Sequence, residues 1–305
     1  VPGGIGTGQA NIGVPVLERI VKLLAAEFEV TVFQLFPVNN GYEPKGFRLV
    51  SIVSSNVVWK AVKLFFIFWR LHRKKKFHIV HGFWALPSGF YAVLLGKLFY
   101  IKSIVSLLGG DAVSLPQINY GQLRSFIPRK LVFWTLRHSA ETISLTQYLV
   151  DNLAKFGYEG REIKVIPWGI DTSIFTFRPK PLPDRIQFLH IGNSNEVKDQ
   201  DTLLNAFRLI NKNIPAHLTI IGEGYLEMKV KSLVKNLRLE ENVTFLTPML
   251  YELLPDIYHR SDILLHTSRS EGQCEVVTEA MSCGVVVCGT HVGIMYDLHP
   301  ACCVT

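Results

Sequence analysis

The sequence has few of the features that mark specialised protein classes. Its five cysteines form no C-x-x-C pair and have no histidines at zinc spacing, which excludes a disulfide framework and a structural zinc site. Charged residues make up only 19% of the 305 residues and hydrophobic residues 48%, which excludes intrinsic disorder. The sequence also lacks internal repeats and low-complexity tracts. An odd number of unpatterned cysteines indicates reduced thiols in a cytosolic protein.

The apolar run Leu64–Trp69 is far too short for a membrane span, which needs roughly 20 residues. It belongs to an aromatic segment that begins at Val57 and leads into the basic stretch Arg70–Lys76. As a helix, this segment has two interpretations: it packs on a sheet with its basic end in solvent, or it lies on an anionic membrane surface. Because no signal peptide opens the sequence, we expect a cytoplasmic protein, and the second interpretation places it at the inner face of the membrane.

The charge balance is basic, with a formal net charge of +7. An anionic partner is therefore expected, and nucleic acid, an anionic membrane and a phosphate-bearing substrate all qualify. The sequence carries no recognised nucleic-acid motif and no extended basic stripe, so we expect no nucleic-acid partner.

Short apolar runs alternate with segments of helical spacing along most of the chain, such as Leu86–Tyr100 and Thr202–Ile210. This alternation predicts the α/β class, with parallel sheets and helical crossovers. The predicted strands are Val30–Phe36, Ile79–His81, Ser103–Leu107, Thr142–Leu145, Lys164–Ile166, Ile186–Ile191, Leu218–Ile221, Val243–Leu246, Ile263–His266 and Val285–Cys288.

A proline-rich stretch near the middle of the sequence has no periodicity and is predicted to be a linker. It separates an N-terminal domain of residues 1–177 from a C-terminal domain of residues 186–305, with the linker at 178–185. The sequence starts without methionine and stops within the apolar segment Ala301–Thr305, so we expect a fragment cut at both ends.

The strongest chemical signal is Ser270–Gly284, which follows one predicted strand and precedes another. Glu271 lies in the loop at the carboxyl end of the first strand, where ligands bind in open α/β sheets, and Glu279 follows eight positions later in a predicted helix. Carboxylates accept hydrogen bonds from vicinal sugar hydroxyls, and the amides around Gln273–Val276 can face a phosphate. Taken singly, each glutamate is also explained as a helix-terminal or solvated charge.

This stretch resembles the Glu-x7-Glu signature of family-4 glycosyltransferases of the GT-B fold, where Ser-Glu-Gly runs into Glu-Ala-Met-x-x-Gly and Val-x-Val. The resemblance implies that Glu279 binds the ribose hydroxyls of a nucleotide-sugar donor and that Glu271 orients the transferred sugar. It also implies two Rossmann-like domains that face each other across a cleft, with the donor in the C-terminal domain and the acceptor in the N-terminal one. The loop residues that it implies as further donor contacts are Gly272, Gln273, Cys274 and Glu275.

Two other segments of the C-terminal half resemble the same donor site. In one of them, the family has an Arg and a Lys that bracket the donor diphosphate: Lys198 matches the Lys, while Asn193, next to Gly192, stands at the position of the Arg. We therefore expect ionic binding of the diphosphate to be weaker than in the family, or to be supplied by other residues. The other is a Gly-x-Gly turn formed by Gly222 and Gly224, which lets backbone pass close to the nucleotide; on its own such a turn is common.

The N-terminal half resembles the family less closely. His81 matches the first His of an Asp-x-x-His-x-His block, whereas Phe83 replaces the second His and Leu108 replaces the His of a Leu-His-Gly-x-Asp turn. The resemblance implies a catalytic role for His81, and a satisfied core histidine is the structural alternative. For Asp111, the alternative to an acceptor-side role is that it caps the segment that follows it. The implied acceptor-side residues are Trp84, Gly109, Gly110 and Asp111.

The glycine-rich opening contains Gly3 and Gly4 and precedes a helix predicted from about Asn11. Its spacing is not that of a dinucleotide fingerprint. The resemblance implies that this glycine pair lets backbone approach the donor phosphate, and that the first strand of the domain lies upstream of Val1.

Taken together, the resemblance implies a hexosyltransferase that moves a sugar from a nucleoside-diphosphate sugar to a glycan or lipid-linked acceptor, as in polysaccharide or lipopolysaccharide biosynthesis. It implies retention of configuration and neither a metal nor a cofactor. Asp199 and Asp201 are predicted to be first-turn helix acids rather than metal ligands. The alternatives are an epimerase or phosphorylase on the same fold, and a nucleotide-sugar-binding module without turnover, for which Asn193 and Leu108 argue.

Overall fold

The computed structural model describes Ile5 and residues 15–38, 42–181 and 183–299. The chain divides into two compact units. Unit 1 comprises Val1–Asp111, Ser125–Ile143 and Tyr158–Lys164, and unit 2 comprises Ala112–Arg124, Ser144–Gly157 and Val165–Thr305. The described residues of the predicted linker 178–185 have no regular secondary structure, and the domain limits expected from the sequence stay predictions.

Unit 1 is built on parallel strands with helices between them. Strands β1 and β2 form a two-stranded parallel sheet, and β3 to β6 form a second sheet in the order β3-β4-β5-β6. The strands are β1 (Thr31–Gln34), β2 (Arg48–Ser51), β3 (Ile79–Phe83), β4 (Lys102–Leu107), β5 (Glu141–Ser144) and β6 (Lys164–Val165). The helices up to this point are α1 (Pro15–Glu27), α2 (Val57–Lys74), α3 (Phe90–Phe99), α4 (Phe126–His138) and α5 (Gln147–Lys155), of which α5 belongs to unit 2.

Unit 2 contains one five-stranded sheet in the order β11-β10-β7-β8-β9, in which every neighbouring pair is parallel. Its strands are β7 (Ile186–Ile191), β8 (Ala216–Ile221), β9 (Val243–Leu246), β10 (Ile263–His266) and β11 (Val286–Gly289). Its later helices are α6 (Gln200–Asn211), α7 (Glu227–Asn236), α8 (Leu254–His259), α9 (Glu275–Ser282) and α10 (Ile294–Leu298). Apolar clusters cover both faces of this sheet, as expected for a buried parallel sheet.

The strand order of unit 2 reverses beside β7. The chain first builds β8 and β9 on one side of β7, and then returns to place β10 and β11 on the other side. Such a reversal opens a crevice at the carboxyl ends of the two strands between which it occurs, here β7 and β10. The sheet therefore offers a ligand position between the loops that follow these strands.

The sequence-based strand predictions are confirmed for all ten segments, and β7, β9 and β10 have the predicted limits. Strand β2 was not predicted. The helix expected over Leu86–Tyr100 is shorter than predicted, because α3 begins at Phe90 and Leu86 has an extended backbone (φ −128°, ψ 141°). Pro87 explains the difference, since a proline disfavours the helical conformation of the residue before it.

Helix α2 confirms the helical interpretation of the aromatic segment. Asn56 caps it by accepting hydrogen bonds from the backbone N–H groups of Val58 (2.9 Å) and Trp59 (3.2 Å). Its buried side chains are Leu64, Phe68 and His72. Among the described residues, no helix has the length and apolar character needed to cross a membrane.

A cavity of about 1040 Å³ lies within unit 1. Residues of β1 and β3 line it, together with apolar side chains of α1, α2 and α3 such as Leu24, Phe68 and Leu95. Most of its lining surface is apolar, and charged and polar residues, among them Glu27, Arg48 and His81, also line it. Every residue that lines it belongs to unit 1.

Candidate functional site

An ion pair joins the two loops that flank the crevice of unit 2. Lys198 follows β7 and Glu271 follows β10, and the Nζ of Lys198 lies 2.5 Å from the Oε1 of Glu271. Both side chains are largely buried, with 20% and 14% of their surface exposed. The sequence predicted both as site residues, and the structure brings them into contact at the point where the strand order reverses.

Both members of this pair stay charged at neutral pH. Burial by itself would lower the pKa of Lys198, but the neighbouring Glu271 carboxylate outweighs it and raises that pKa above its ordinary value. Burial by itself would raise the pKa of Glu271, but Lys198 and His266 outweigh it and hold that pKa well below its ordinary value. The crevice thus contains a fixed ammonium and a fixed carboxylate in surroundings that water screens poorly.

His266 and Cys274 complete a small cluster around Glu271. The Nε2 of His266 lies 3.5 Å from the Oε1 of Glu271 and 2.8 Å from the Sγ of Cys274. Ligand atoms of these three residues lie within 4.8 Å of one another and are of types that zinc accepts. However, the same carboxylate oxygen faces the Lys198 ammonium, and burial together with Glu271 raises the pKa of the Cys274 thiol well above its ordinary value. We therefore assign no metal to this cluster.

Glu279 lies in α9 and is buried, with 3% of its surface exposed. The hydroxyl of Tyr258, in α8, donates a hydrogen bond of 2.7 Å to its Oε2. Burial, followed by the charge of Glu279, raises the pKa of Tyr258 well above its ordinary value, so the hydroxyl stays protonated and remains a donor. A buried carboxylate is thereby held by a neutral partner.

The glycine turns allow two loops of the site to touch. Gly222 has φ +144°, and a Cβ there would lie 2.1 Å from the backbone oxygen of Gly192. A Cβ at Gly224 would lie 2.5 Å from the backbone oxygen of Ser194. A Cβ at Gly192 would lie 3.1 Å from the Cε of Lys198, so the lysine stem runs directly over this glycine. The backbone after β8 can therefore pack against the loop that presents Lys198 only because these residues lack side chains.

Asn193 cannot replace the cation of the family, because its side-chain amide is uncharged. The residue is exposed, and its backbone oxygen accepts a hydrogen bond from the Gln200 side chain. Asp199 is the N-cap of α6, which confirms its prediction as a helix-terminal acid, and Asp201 lies in the first turn. Arg269 donates to Asp199 through its Nε at 3.1 Å. Arg269 thus places a second cation in the loop after β10, beside Asp199, which directly follows Lys198 in the sequence.

The loop between the two glutamates is fixed by its own contacts. The Gln273 side chain accepts from the backbone N–H of Trp168 (2.7 Å) and donates to the Trp168 carbonyl (2.8 Å). The Gly272 carbonyl accepts from Thr146. Cys274 precedes α9 with φ +76°, and Glu275 opens the helix four positions after Glu271. Donor contacts from these four loop residues stay a prediction, and the Gln273 side chain is already committed to Trp168.

The predicted acceptor-side residues of unit 1 gather at the carboxyl ends of β3 and β4. Asp111 is buried and accepts from three backbone N–H groups, those of Ala85 (2.9 Å), Leu108 (3.2 Å) and Gly109 (3.0 Å). Burial, opposed by these hydrogen bonds, raises the pKa of Asp111. Its role is therefore wider than a helix cap, because it ties the segment after β3 to the loop after β4. Trp84 and Gly110 belong to the same two segments.

His81 lies in the middle of β3 and bonds through its Nε2 to the Ser106 hydroxyl at 2.8 Å, while its ring stacks on Phe83. Burial lowers the pKa of His81 to about 4, so the imidazole is neutral at physiological pH. These contacts are those of a satisfied core histidine, and the catalytic role of His81 stays a prediction. Gly3 and Gly4 lie outside the described residues.

Three residues at the site were missed by the sequence analysis: Tyr258, His266 and Arg269. His266 carried a usable signal, because it ends a predicted strand whose carboxyl end leads to Glu271. Arg269 lies two positions before Glu271 but gives no hint of its pairing with Asp199. Tyr258 lies in a short helix with no motif around it.

Two protein-family models together match almost the whole chain. The model described as "Glycosyltransferase Family 4" matches residues 14–174, and the model described as "Glycosyl transferases group 1" matches residues 173–298. The border between the two matches falls just before the predicted linker.

Curated relatives include the N-acetyl-alpha-D-glucosaminyl L-malate synthase of Bacillus anthracis, which is 25% identical over 235 residues, or 72% of this chain and 58% of the relative. A D-inositol 3-phosphate glycosyltransferase of Pseudarthrobacter chlorophenolicus is 29% identical over 177 residues, or 54% of this chain and 41% of the relative. The chain therefore spans less than two thirds of the length of these relatives.

Solved structures share the fold at low identity. Sucrose-phosphate synthase of Thermosynechococcus elongatus superposes with a TM-score of 0.80 at 19% identity, covering 98% of this chain and 82% of that one. HepE of Anabaena, in complex with UDP and glucose, has a TM-score of 0.74 at 16% identity and covers 97% and 80%. The architecture is thus the α/β GT-B fold with two parallel-sheet Rossmann-like domains. Since the first family model alone matches just over half of the 305 residues, the chain belongs to glycosyltransferase family 4.

Proposed function

We propose that this protein transfers a sugar from a nucleoside-diphosphate sugar to a glycan or lipid-linked acceptor, with retention of configuration and without a metal. The observation that carries the proposal is the Lys198–Glu271 ion pair at the crevice of unit 2, in a chain of glycosyltransferase family 4. The named activities of two relatives, a glucosaminyl malate synthase and an inositol phosphate glycosyltransferase, support it. So does the UDP and glucose complex of HepE, a protein of the same fold.

Each residue of the site has a role that suits this transfer. The bond from the anomeric carbon to the diphosphate breaks, a bond from that carbon to the acceptor oxygen forms, and the acceptor proton passes to the departing diphosphate. Lys198 has three N–H donors, so it can keep Glu271 and still stabilise the negative charge that develops on the diphosphate. The first amides of α9 add a second source of positive potential. Glu271 orients the sugar and Glu279 accepts from the ribose hydroxyls.

A thermal-shift screen with UDP-, GDP- and ADP-sugars tests the donor class. A ligand that binds only the folded protein raises its Tm, by an amount that grows with the ratio of concentration to Kd. We expect one nucleotide class to raise the Tm, and Glu279→Gln to remove most of that shift. If none of the three classes changes the Tm of the wild type, the proposal is wrong.

The exposed, uncharged Asn193 favours a second candidate, a module that binds a nucleotide sugar without turnover. Donor hydrolysis and transfer measured on the natural full-length protein separate the two functions. Binding with no turnover supports the module.

An epimerase, in turn, would convert the donor without any acceptor, and product analysis with donor alone would reveal it.

The outer face of α2 supports an anionic membrane surface as a further partner. Three aromatic residues of this face are exposed: Trp59 at 62%, Phe66 at 57% and Trp69 at 41%. Val58 and Val62 are also exposed. At 100° per residue these five side chains fall on one side of the helix, opposite the buried Leu64, Phe68 and His72. Exposed basic residues at the end of the helix flank the stripe: Arg70, Arg73, Lys74, Lys75 and Lys76. Aromatic and apolar side chains beside basic ones are typical of helices that lie in a membrane interface.

Flotation with liposomes of neutral or anionic phospholipid tests this surface. We expect the wild type to float only with anionic vesicles, and two variants to lose binding: Trp59→Ser with Trp69→Ser, and Arg70, Arg73, Lys74 and Lys76 each changed to Glu. The matched control changes four exposed cations of unit 2 to Glu, namely Arg208, Lys212, Lys235 and Arg238. Equal flotation of the α2 variants and the control variant would show that α2 is not the membrane surface.

A further inference from the structure

We propose that Tyr258 is a positioning residue, which fixes the Glu279 carboxylate in the orientation that receives the ribose hydroxyls of the nucleotide. This inference rests on the proposed function, because it assumes that Glu279 binds the ribose. No motif pointed to Tyr258. It acts through Glu279 and does not itself touch the donor.

The contact is short and entirely buried. The Tyr258 hydroxyl donates to the Oε2 of Glu279 at 2.7 Å, and Tyr258 has no exposed surface. The tyrosine comes from α8 and the glutamate from α9, 21 positions further along the chain. The hydrogen bond therefore links two helices of unit 2 at the level of the carboxylate.

The tyrosine ring is itself fixed by packing. Phe175 meets it edge-on with ring centroids 5.8 Å apart, and Tyr251 meets Phe175 in the same way at 5.0 Å. The Tyr258 carbonyl accepts a hydrogen bond from the Lys180 ammonium at 3.0 Å. Because its ring and its backbone are both held, the Tyr258 hydroxyl has a fixed position. The Glu279 carboxylate must therefore adopt the orientation that keeps this hydrogen bond.

The kind of partner distinguishes Glu279 from Glu271. Lys198 neutralises the charge of Glu271, whereas a hydroxyl orients a carboxylate without cancelling its negative charge. A carboxylate that keeps its charge is the stronger acceptor for sugar hydroxyls. Burial and the Glu279 charge keep Tyr258 in its protonated, donating form. The hydrogen bond thus fixes the direction of the Glu279 carboxylate, which recognition of two vicinal hydroxyls requires.

A pair of ligands isolates this role. Isothermal titration compares the nucleoside diphosphate selected in the screen (UDP, GDP or ADP) with its 2′,3′-dideoxy analogue, which lacks the ribose hydroxyls. We expect Tyr258→Phe to weaken binding of the ordinary nucleotide about tenfold, as for the loss of one hydrogen bond at a buried site, and to change binding of the dideoxy analogue less than about twofold. The control Tyr296→Phe removes a tyrosine–carboxylate bond of the same length, to Asp151, and should leave the preference for ribose intact.

A second variant checks that the effect passes through Glu279. Glu279→Gln should reduce the preference for ribose, and adding Tyr258→Phe to it should reduce that preference no further. An equal loss for both ligands, or an unchanged preference in Tyr258→Phe, would overturn the positioning role while leaving the proposed function in place. A wild type that binds a nucleoside diphosphate without preferring ribose would overturn the role of Glu279, and with it this inference. A wild type that binds none of the three would overturn the proposed function itself.

Discussion

The two units hold their buried carboxylates with different kinds of hydrogen-bond donor. In unit 2, Glu271 is bound by the side chain of Lys198 and Glu279 by that of Tyr258. In unit 1, Asp111 is bound by three backbone N–H groups of the loops around it. Side-chain partners can share a carboxylate with a ligand, whereas backbone donors of a folded loop cannot turn away without unfolding it. The acids of unit 2 therefore have partners that could be shared with a ligand, while the acid of unit 1 holds its loops together.

A similarity makes this contrast sharper. Each unit contains a histidine whose pKa is lowered to about 4 by desolvation: the partly buried His81 in unit 1 and the buried His190 in unit 2. His81 is paired with the Ser106 hydroxyl and His190 with the Leu265 carbonyl, so both are neutral parts of the sheets at physiological pH. The difference between the units thus lies in their carboxylates and not in their histidines.

The largest effect is expected for Glu271→Gln. It removes the group that we propose to orient the sugar, and it leaves the Lys198 ammonium buried without its counter-ion. We expect the turnover rate to fall by roughly 10²- to 10³-fold, as for loss of one preorganised charged contact. Initial rates of nucleoside diphosphate release measure it. A rate within about threefold of the wild type would remove Glu271 from the catalytic site.

Gly222→Ala tests the close approach of the loops in unit 2. The new Cβ meets the Gly192 carbonyl, and φ +144° is strained for alanine, so the loop that presents Lys198 must move. We expect nucleotide affinity to fall about tenfold and the free energy of unfolding by about 1–3 kcal/mol. Gly169→Ala is the control, because a Cβ there meets nothing within 4 Å. Equal behaviour of the two variants in titration and urea unfolding would contradict the account.

Asp111→Asn tests the structural use of the carboxylate in unit 1. The amide keeps the size of the side chain but cannot accept from all three backbone N–H groups with a full charge. We expect the free energy of unfolding to fall by about 1–3 kcal/mol. Glu162→Gln, an exposed acid of the same unit, should change it by less than about 0.5 kcal/mol. Urea denaturation that gives the same value for both would argue against this role.

The last prediction concerns the dependence of stability on pH. Because the folded pKa of each histidine lies below the ordinary 6.5, the unfolded chain binds more protons between pH 6.5 and 4. The stabilisation is complete above pH 6.5 and is lost as the pH falls towards 4. In His190→Asn and His81→Gln, the side-chain amide nitrogen replaces the ring nitrogen that makes the hydrogen bond. Each variant should lose less unfolding free energy than the wild type as the pH falls over this range. Unchanged slopes in urea denaturation at several pH values would show that the imidazoles already titrate normally when folded.

The strands could be predicted where burial produces a continuous apolar run in the sequence. Strands β7, β9 and β10 have the limits expected from their apolar runs. Strand β2 was missed because its four residues, Arg48–Ser51, form no apolar run and none of them is fully buried. The early start assigned to α3 followed from apolar spacing alone, and the backbone restriction set by Pro87 prevailed over it.

The site was predictable only in part, since motifs identify loops and not contacts. The family resemblance selected Lys198 and Glu271, but their pairing depends on strand order, which brings together residues 73 positions apart. Tyr258 has neither a motif nor a spacing that links it to Glu279. The bonds of Asp111 to three backbone amides are equally invisible in the sequence, because backbone donors leave no residue signature.

A crystal structure with the nucleoside diphosphate that raises the Tm most would show directly whether the donor site lies in unit 2. We expect the ribose hydroxyls to lie within hydrogen-bond distance of Glu279 and the diphosphate to lie against Lys198, at the carboxyl ends of β7 and β10. A nucleotide bound elsewhere, with the Lys198–Glu271 pair undisturbed and Glu279 still buried away from it, would contradict the assignment of the donor site to unit 2.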